Sequence, residues 1–206
     1  MKTTIIVIST FLLTILPNGF AEPDFSPGST VWCSWTNPNV GVSTNLYANH
    51  GTFAVAEGGD GIFGKGAGEL TFTSNNRDPV AEHQFGNSSW GPSKSPGLID
   101  VSSLAGKNGL EILVNVDPES TSDKICIKLG TAVPEEVYSQ AATVEKGSNQ
   151  RVQFPLAGFK NSKNPESALE DFSTLNGTIQ LTDGWKGYPK PAQGEWKCQF
   201  SDIRTY

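Results

Sequence analysis

Period-two alternation of apolar and polar side chains, in short runs separated by glycine and proline, is the feature that most limits what this chain can fold into. Such runs suit the two faces of a half-buried β-strand, and the turn residues between them keep each run short. The 206 residues include 22 glycines and 13 prolines, about one position in six against roughly one in eight in ordinary proteins. A helical bundle does not tolerate that density of breakers. Candidate strands fall at 29–36, 51–57, 67–74, 79–86, 109–116, 123–129, 136–145, 149–154, 177–182 and 194–206. Only 166–172, opened by Asn164 and Pro165, reads as a helical turn. Asn-Gly pairs at Asn108 and Asn176 and the glycine-rich stretch 58–68 mark tight connections. The expected fold class is all-β, a two-sheet antiparallel β-sandwich, because strands do not alternate with helices as they do in a parallel α/β domain.

Lys2 is the sole charge before Glu22, and it is followed by the apolar run 5–16, Pro17 as a breaker, and Gly19, Phe20 and Ala21. That order reads as a secretory signal peptide over 1–21, cut after Ala21. As a helix the apolar run reaches about 18 Å, short of the roughly 30 Å of a hydrocarbon core. No other run is long enough, so a membrane span is not expected. Residues 22–206 are expected to form a single β-sandwich domain, secreted and extracellular. With 15 Lys and Arg against 21 Asp and Glu, the net charge of -6 repels a polyanion, and no nucleic acid is expected as a partner.

Export also gives the cysteines a meaning. Cys33, Cys126 and Cys198 have neither C-x-x-C spacing nor an accompanying histidine cluster, which argues against zinc. Cys33 shares strand parity with Val31 and Trp35, and Cys198 with Trp196 and Phe200. A disulfide between Cys33 and Cys198, joining the first and last strands, is expected, with Cys126 as the competing partner. Asn87-Ser88-Ser89 and Asn176-Gly177-Thr178 are glycosylation sequons, to be used if the source is eukaryotic.

Parity separates a core from a polar surface. Leu110, Ile112, Val114 and Val116 share one side of their strand, as do Ile125, Ile127 and Leu129, then Val152 and Phe154. The opposite parities carry Glu111, Leu113 and Asn115, then Lys124, Cys126 and Lys128, then Tyr138 and Gln140, then Arg151 and Gln153. Taken together these are expected to converge on one polar sheet face, whose mixed donors and acceptors suit sugar hydroxyls. The alternative is the ordinary solvated side of an antiparallel sheet.

The segments GLIDVSSLAGKNGLEILVNVD (97–117), RVQFPLAGF (151–159), ALEDFSTLNGTIQLTDG (168–184) and the closing SDIRTY form an ordered series. In that order they resemble carbohydrate-binding modules of the galactose-binding-domain-like β-jelly-roll type. The resemblance covers about the second half of the mature chain. It implies a jelly-roll sandwich and non-catalytic binding of a polysaccharide or glycan. It further implies a structural calcium held near the termini by Asp202, with Glu57 and Asp60 as the acids available to join it.

A pyranose ring stacks its apolar C–H face on an exposed aromatic ring. Trp90, in GNSSWGPSKSPG, and Trp185 with Tyr188, in DGWKGYPKP, lie in stretches too rich in glycine and proline for core strands, and are the aromatics expected at the site. Asp183 and Lys186 stand beside them, whereas Trp35 and Trp196 alternate with apolar neighbours and read as core. Two other classes stay open. One is an extracellular structural, adhesive or effector protein that binds no sugar. The other is a jelly-roll glycosidase, for which no E-x-D-x-x-E arrangement is present and the adjacent Glu135 and Glu136 point to opposite sides of an extended strand, or a polysaccharide lyase, for which His83 with Tyr138, Arg151 and Gln153 are the residues to consider.

Overall fold

A computed structural model describes residues 24–33, 51–55, 63, 68–74, 101–131, 136–182 and 194–206. Among the described residues eleven strands run in chain order: β1 (Thr30–Cys33), β2 (Gly51–Val55), β3 (Gly68–Ser74), β4 (Gly109–Val116), β5 (Lys124–Thr131), β6 (Val137–Thr143), β7 (Gln150–Pro155), β8 (Lys160–Asn161), β9 (Leu175–Thr182), β10 (Gly194–Phe200) and β11 (Ile203–Thr205). Most coincide with the alternating runs of the sequence. The expected strand 79–86 lies outside the described residues, and the turn expected at 166–172 is a single 3-10 turn at Phe172–Thr174. Asp171 caps that turn, accepting the Ser173 amide at 2.8 Å.

The strands form two antiparallel sheets. In the first, β4 is the spine: β7 runs along one edge, and β10 and β11 lie end to end along the other. Beyond β10 come β3 and β2, and beyond β11 comes β1. The second sheet has the order β8-β6-β5-β9. Because the chain crosses between sheets after β4, β6, β7 and β9, neighbours in space are distant in sequence, the jelly-roll manner of closing a sandwich.

A single continuous run at 194–206 is expected from the sequence, yet it is divided at Ser201 and Asp202. Ser201 spans the break with both of its groups: its amide donates to the Leu113 carbonyl at 2.9 Å, and its hydroxyl accepts the Leu113 amide at 3.0 Å. No ladder group of Leu113 is left unmet at the division.

The two sheets share one core. Leu110, Ile112, Val114 and Val116 of β4 and Trp196, Cys198 and Phe200 of β10 face Ile125, Ile127 and Leu129 of β5 and Ile179 and Leu181 of β9. Val152 and Phe154 of β7 join them, as their parity predicts. Each such side chain contributes about 1.5–3 kcal/mol by leaving water.

Three expectations about these strands are corrected. Tyr138 and Gln140 stand opposite Leu129 and Ile127 in the β5–β6 register, so they lie on the core side of the second sheet, and Tyr138 belongs to the core cluster. Cys126 and Lys128 lie on the other side of that sheet, together with Ser139, and all three are buried, Lys128 at 1% exposure. The expected convergence on one polar face therefore does not occur, since Arg151 and Gln153 belong to the first sheet. Finally, the Cys33–Cys198 bridge is not formed, and all three cysteines are buried free thiols. Cys33 stands opposite Ile203, with a bulge between Val31 and Cys33 that turns Val31 out to 50% exposure. Cys198 is registered with Val116 of β4 and Arg204, next to Ile203, with Glu111, so about four residues of β4, on the order of 13 Å, separate the two cysteine positions, whereas a disulfide needs Cα atoms within about 7 Å.

Candidate functional site

The outer face of the first sheet carries the side chains of opposite parity to the core. Gln199 of β10 is registered with Glu69 of β3 on one side and Asn115 of β4 on the other. Gln199 Nε2 donates to Glu69 Oε2 at 2.7 Å, and Asn115 Nδ2 donates to Asn149 Oδ1 at 2.6 Å. Lys197 Nζ approaches Glu69 Oε1 at 3.4 Å. A polar row thus runs across the sheet, with amides and a carboxylate that keep further donor and acceptor capacity. Below it on β7 are Arg151 and Gln153, both exposed.

Four residues from Asn115 along β4, Glu111 has no exposed surface although it points away from the core. Its cover is the segment formed by Asp24, Phe25 and Ser26. The Ser26 amide donates to Glu111 Oε1 at 2.8 Å and the Ser26 hydroxyl to Oε2 at 2.7 Å. Gln153 Nε2 donates to the same Oε2 at 3.2 Å and to the Ser26 hydroxyl oxygen at 3.1 Å. Arg151 holds the Asp24 carbonyl at 3.0 Å, and the Phe25 ring lies 4.0 Å from the Arg204 guanidinium carbon.

Local sequence explains how the segment returns to the sheet. Ser26-Pro27-Gly28-Ser29 closes a turn with Ser29 N–H bonded to Ser26 C=O at 3.0 Å, and Gly28 at φ 80 supplies the left-handed third position. The turn launches β1 at Thr30 and aims Ser26 back at Glu111. Burial raises the Glu111 carboxyl, but hydrogen bonds from Ser26, Gln153 and Ser29 outweigh it and hold the group below its ordinary value. Next to it Tyr206 is raised, first by burial and then by the Glu111 charge.

Of the residues singled out from sequence, Arg151 and Gln153 meet on this face, and Tyr138 and Gln140 do not. Trp90, Trp185, Tyr188, Asn87, His83, Glu57 and Asp60 lie outside the described residues. Asn176 lies in β9. Asp202 sits in the division between β10 and β11, where its charge adds to burial in raising the Cys33 thiol. Among the described residues no three His, Cys, Asp or Glu side chains gather as a metal site, at Asp202 or elsewhere. Also among the described residues, no helix is long and apolar enough to cross a membrane. Strand parity alone does not single out Phe25, Ser26, Glu69, Asn149, Gln199 or Arg204. Gln199 and Arg204 were legible as the polar partners of Cys198 and Ile203, whereas the return of Ser26 rests on a turn that parity does not describe.

No protein-family model matches the chain, and none of the curated proteins does. Among solved structures, the chain is similar to a family 11 carbohydrate-binding module from Clostridium thermocellum in complex with a beta-1,3-1,4-mixed-linked tetrasaccharide. That match has 12% identity and a TM-score of 0.41, over 75% of this chain and 81% of that one. It is also similar to the family 11 carbohydrate-binding module of the cellulosomal cellulase Lic26A-Cel5E of Clostridium thermocellum, with 12% identity and a TM-score of 0.40, over 88% of this chain and 95% of that one. The fold assignment rests on the strand order and register described above.

Proposed function

We propose that this is a secreted, non-catalytic carbohydrate-binding protein that recognises a polysaccharide or glycan through the outer face of its first sheet and the loop aromatics Trp90, Trp185 and Tyr188. The observation that carries this reading is the cross-strand row Glu69, Gln199, Asn115 and Asn149, with Arg151 and Gln153 beside it. A sugar hydroxyl both donates and accepts, and planar amides next to a carboxylate offer both functions at fixed spacing. In this reading Trp90, Trp185 and Tyr188 supply the stacking surface that such a row lacks.

Glu69 and Glu111 are separated by two strand spacings and four residues of rise, on the order of 15 Å. Glycosidic cleavage needs carboxyls about 5–9.5 Å apart, so this pair favours binding over hydrolysis at the face. A structural calcium at Asp202 belongs to the same proposal, with Glu57 or Asp60 completing its oxygen ligands.

Affinity electrophoresis in gels containing soluble polysaccharides tests the reading. The mature protein is expected to be retarded in at least one gel, and Asn115→Ala or Trp185→Ala to remove most of that retardation without lowering the melting temperature. Retardation unchanged in both variants overturns the site. Incubation with the same panel, followed by assays for reducing ends and unsaturated products, separates a binder from an enzyme. A protein retarded in none of the gels is not a binder of those sugars.

A further inference from the structure

Glu111 is a charged group in a place where a sandwich ordinarily shows its side chains to water, and the chain covers it with residues 24–26. The hydrogen-bond pattern under that cover is specific. One hydroxyl, that of Ser26, donates to Glu111 and accepts from Gln153, while Gln153 also donates to Glu111. An acid and an amide sharing one hydroxyl is the arrangement that fixes an alcohol of a polyol. Arg204, opposite Glu111 in the register, keeps its Nε buried and without a hydrogen-bond partner beneath Phe25. The site thus has more donor capacity than the covering segment uses, and a buried unmet donor is a cost that a better-fitting ligand removes.

We propose that residues 24–26 act as an internal ligand: the Ser26 hydroxyl occupies a sugar-hydroxyl subsite built from Glu111, Gln153 and Arg204, and a glycan gains this part of the face by displacing the segment. This inference rests on the carbohydrate-binding reading and adds a regulation to it. Arg151, which holds the Asp24 carbonyl, stands between the covered subsite and the open row at Asn115, so a chain of sugar units crossing the face would meet the segment end-on. The apparent affinity of such a site is its intrinsic affinity scaled by the fraction of molecules in which the segment is lifted.

The test compares the mature chain with a variant lacking residues 22–26, which keeps Pro27, Gly28 and β1. In polysaccharide gels and in titration calorimetry with the retained sugar, the truncated protein is expected to bind about tenfold more tightly, and Glu111→Gln in that background to abolish the gain. A synthetic peptide of residues 22–29 is expected to compete with sugar for the truncated protein. Should truncation prevent folding, Ser26→Asp in the full chain lifts the segment by repulsion from Glu111 and is expected to show the same gain. Equal affinity in lifted and covered proteins overturns the internal-ligand proposal and leaves carbohydrate binding standing. Binding of the peptide with no sugar retained by any form overturns both.

Discussion

A carboxylate with no exposed surface is stable only if its hydrogen-bond capacity is met, and at Glu111 three donors meet it: the Ser26 amide and hydroxyl and Gln153. Because these bonds favour the charged form, the folded group titrates below its unfolded value of about 4.5. A lowered acid stabilises the fold above the unfolded value and loses that contribution as pH falls through the folded one. The urea midpoint of the wild type is therefore expected to drop more steeply below pH 4.5 than that of Glu111→Gln, which carries no such titration. Parallel curves would show that the carboxylate is not held. At neutral pH, Glu111→Ala leaves Ser26 and Gln153 without their acceptor and is expected to cost about 1–3 kcal/mol. The cysteines make a second residue-scale case. Burial pushes the Cys33 and Cys198 thiols well above the ordinary range, Cys33 further by the Asp202 charge, and Cys126 is equally enclosed. A thiol-specific chromogenic reagent is expected to find no reactive group in the native protein and three after unfolding without reductant. One group after unfolding would restore the disulfide.

At the scale of elements, β4 shows what alternation reveals and what it hides. Its core parity was readable because Leu110, Ile112, Val114 and Val116 are unambiguous. The same reasoning failed for β6, where both parities mix polar and apolar residues: Val137 and Ser139 on one side, Tyr138 and Gln140 on the other. There the register with β5 decides the inward side, and register is a long-range property. The one bulge in β1 likewise undoes the shared parity of Val31 and Cys33. For the candidate site, Arg151 and Gln153 were legible by alternation, whereas their covering segment approaches from far along the chain. Close packing between elements is tested at two glycines. A Cβ on Gly109 would lie 2.6 Å from the Phe154 carbonyl oxygen of β7 and 2.6 Å from the Tyr206 hydroxyl, and the backbone oxygen is held in the β4–β7 ladder. The nearest atoms to a Cβ on Gly158 are the amide end of Gln140, at 2.5–2.8 Å, and that flexible end can swing away. Gly109→Ala is expected to cost about 1–3 kcal/mol in urea unfolding, with Gly158→Ala below about 1 kcal/mol.

The whole molecule depends on both sheets sharing one core, because neither has an apolar face satisfied without the other. Ile112 of the first sheet and Ile127 of the second belong to the same fully buried cluster. Removing one methylene from either opens a small cavity in that common layer, costing about 0.5–1.5 kcal/mol. If the layer is the cooperative unit, both substitutions, Ile112→Val and Ile127→Val, lower one and the same transition. Far-UV dichroism, which follows both sheets, and the fluorescence of the five tryptophans, among them Trp196 enclosed on β10, are then expected to report coincident midpoints in the wild type and in each variant. The covering segment separates from this behaviour, since it lies on the outer face and contributes nothing to the shared layer. Its release, by truncation of residues 22–26, is expected to shift the midpoint without splitting the transition, as the bonds to Glu111 are lost while the core is untouched. Dichroism and fluorescence curves that part company in Ile127→Val alone would mean that the second sheet unfolds by itself, and the view of the sandwich as a single cooperative layer would fall.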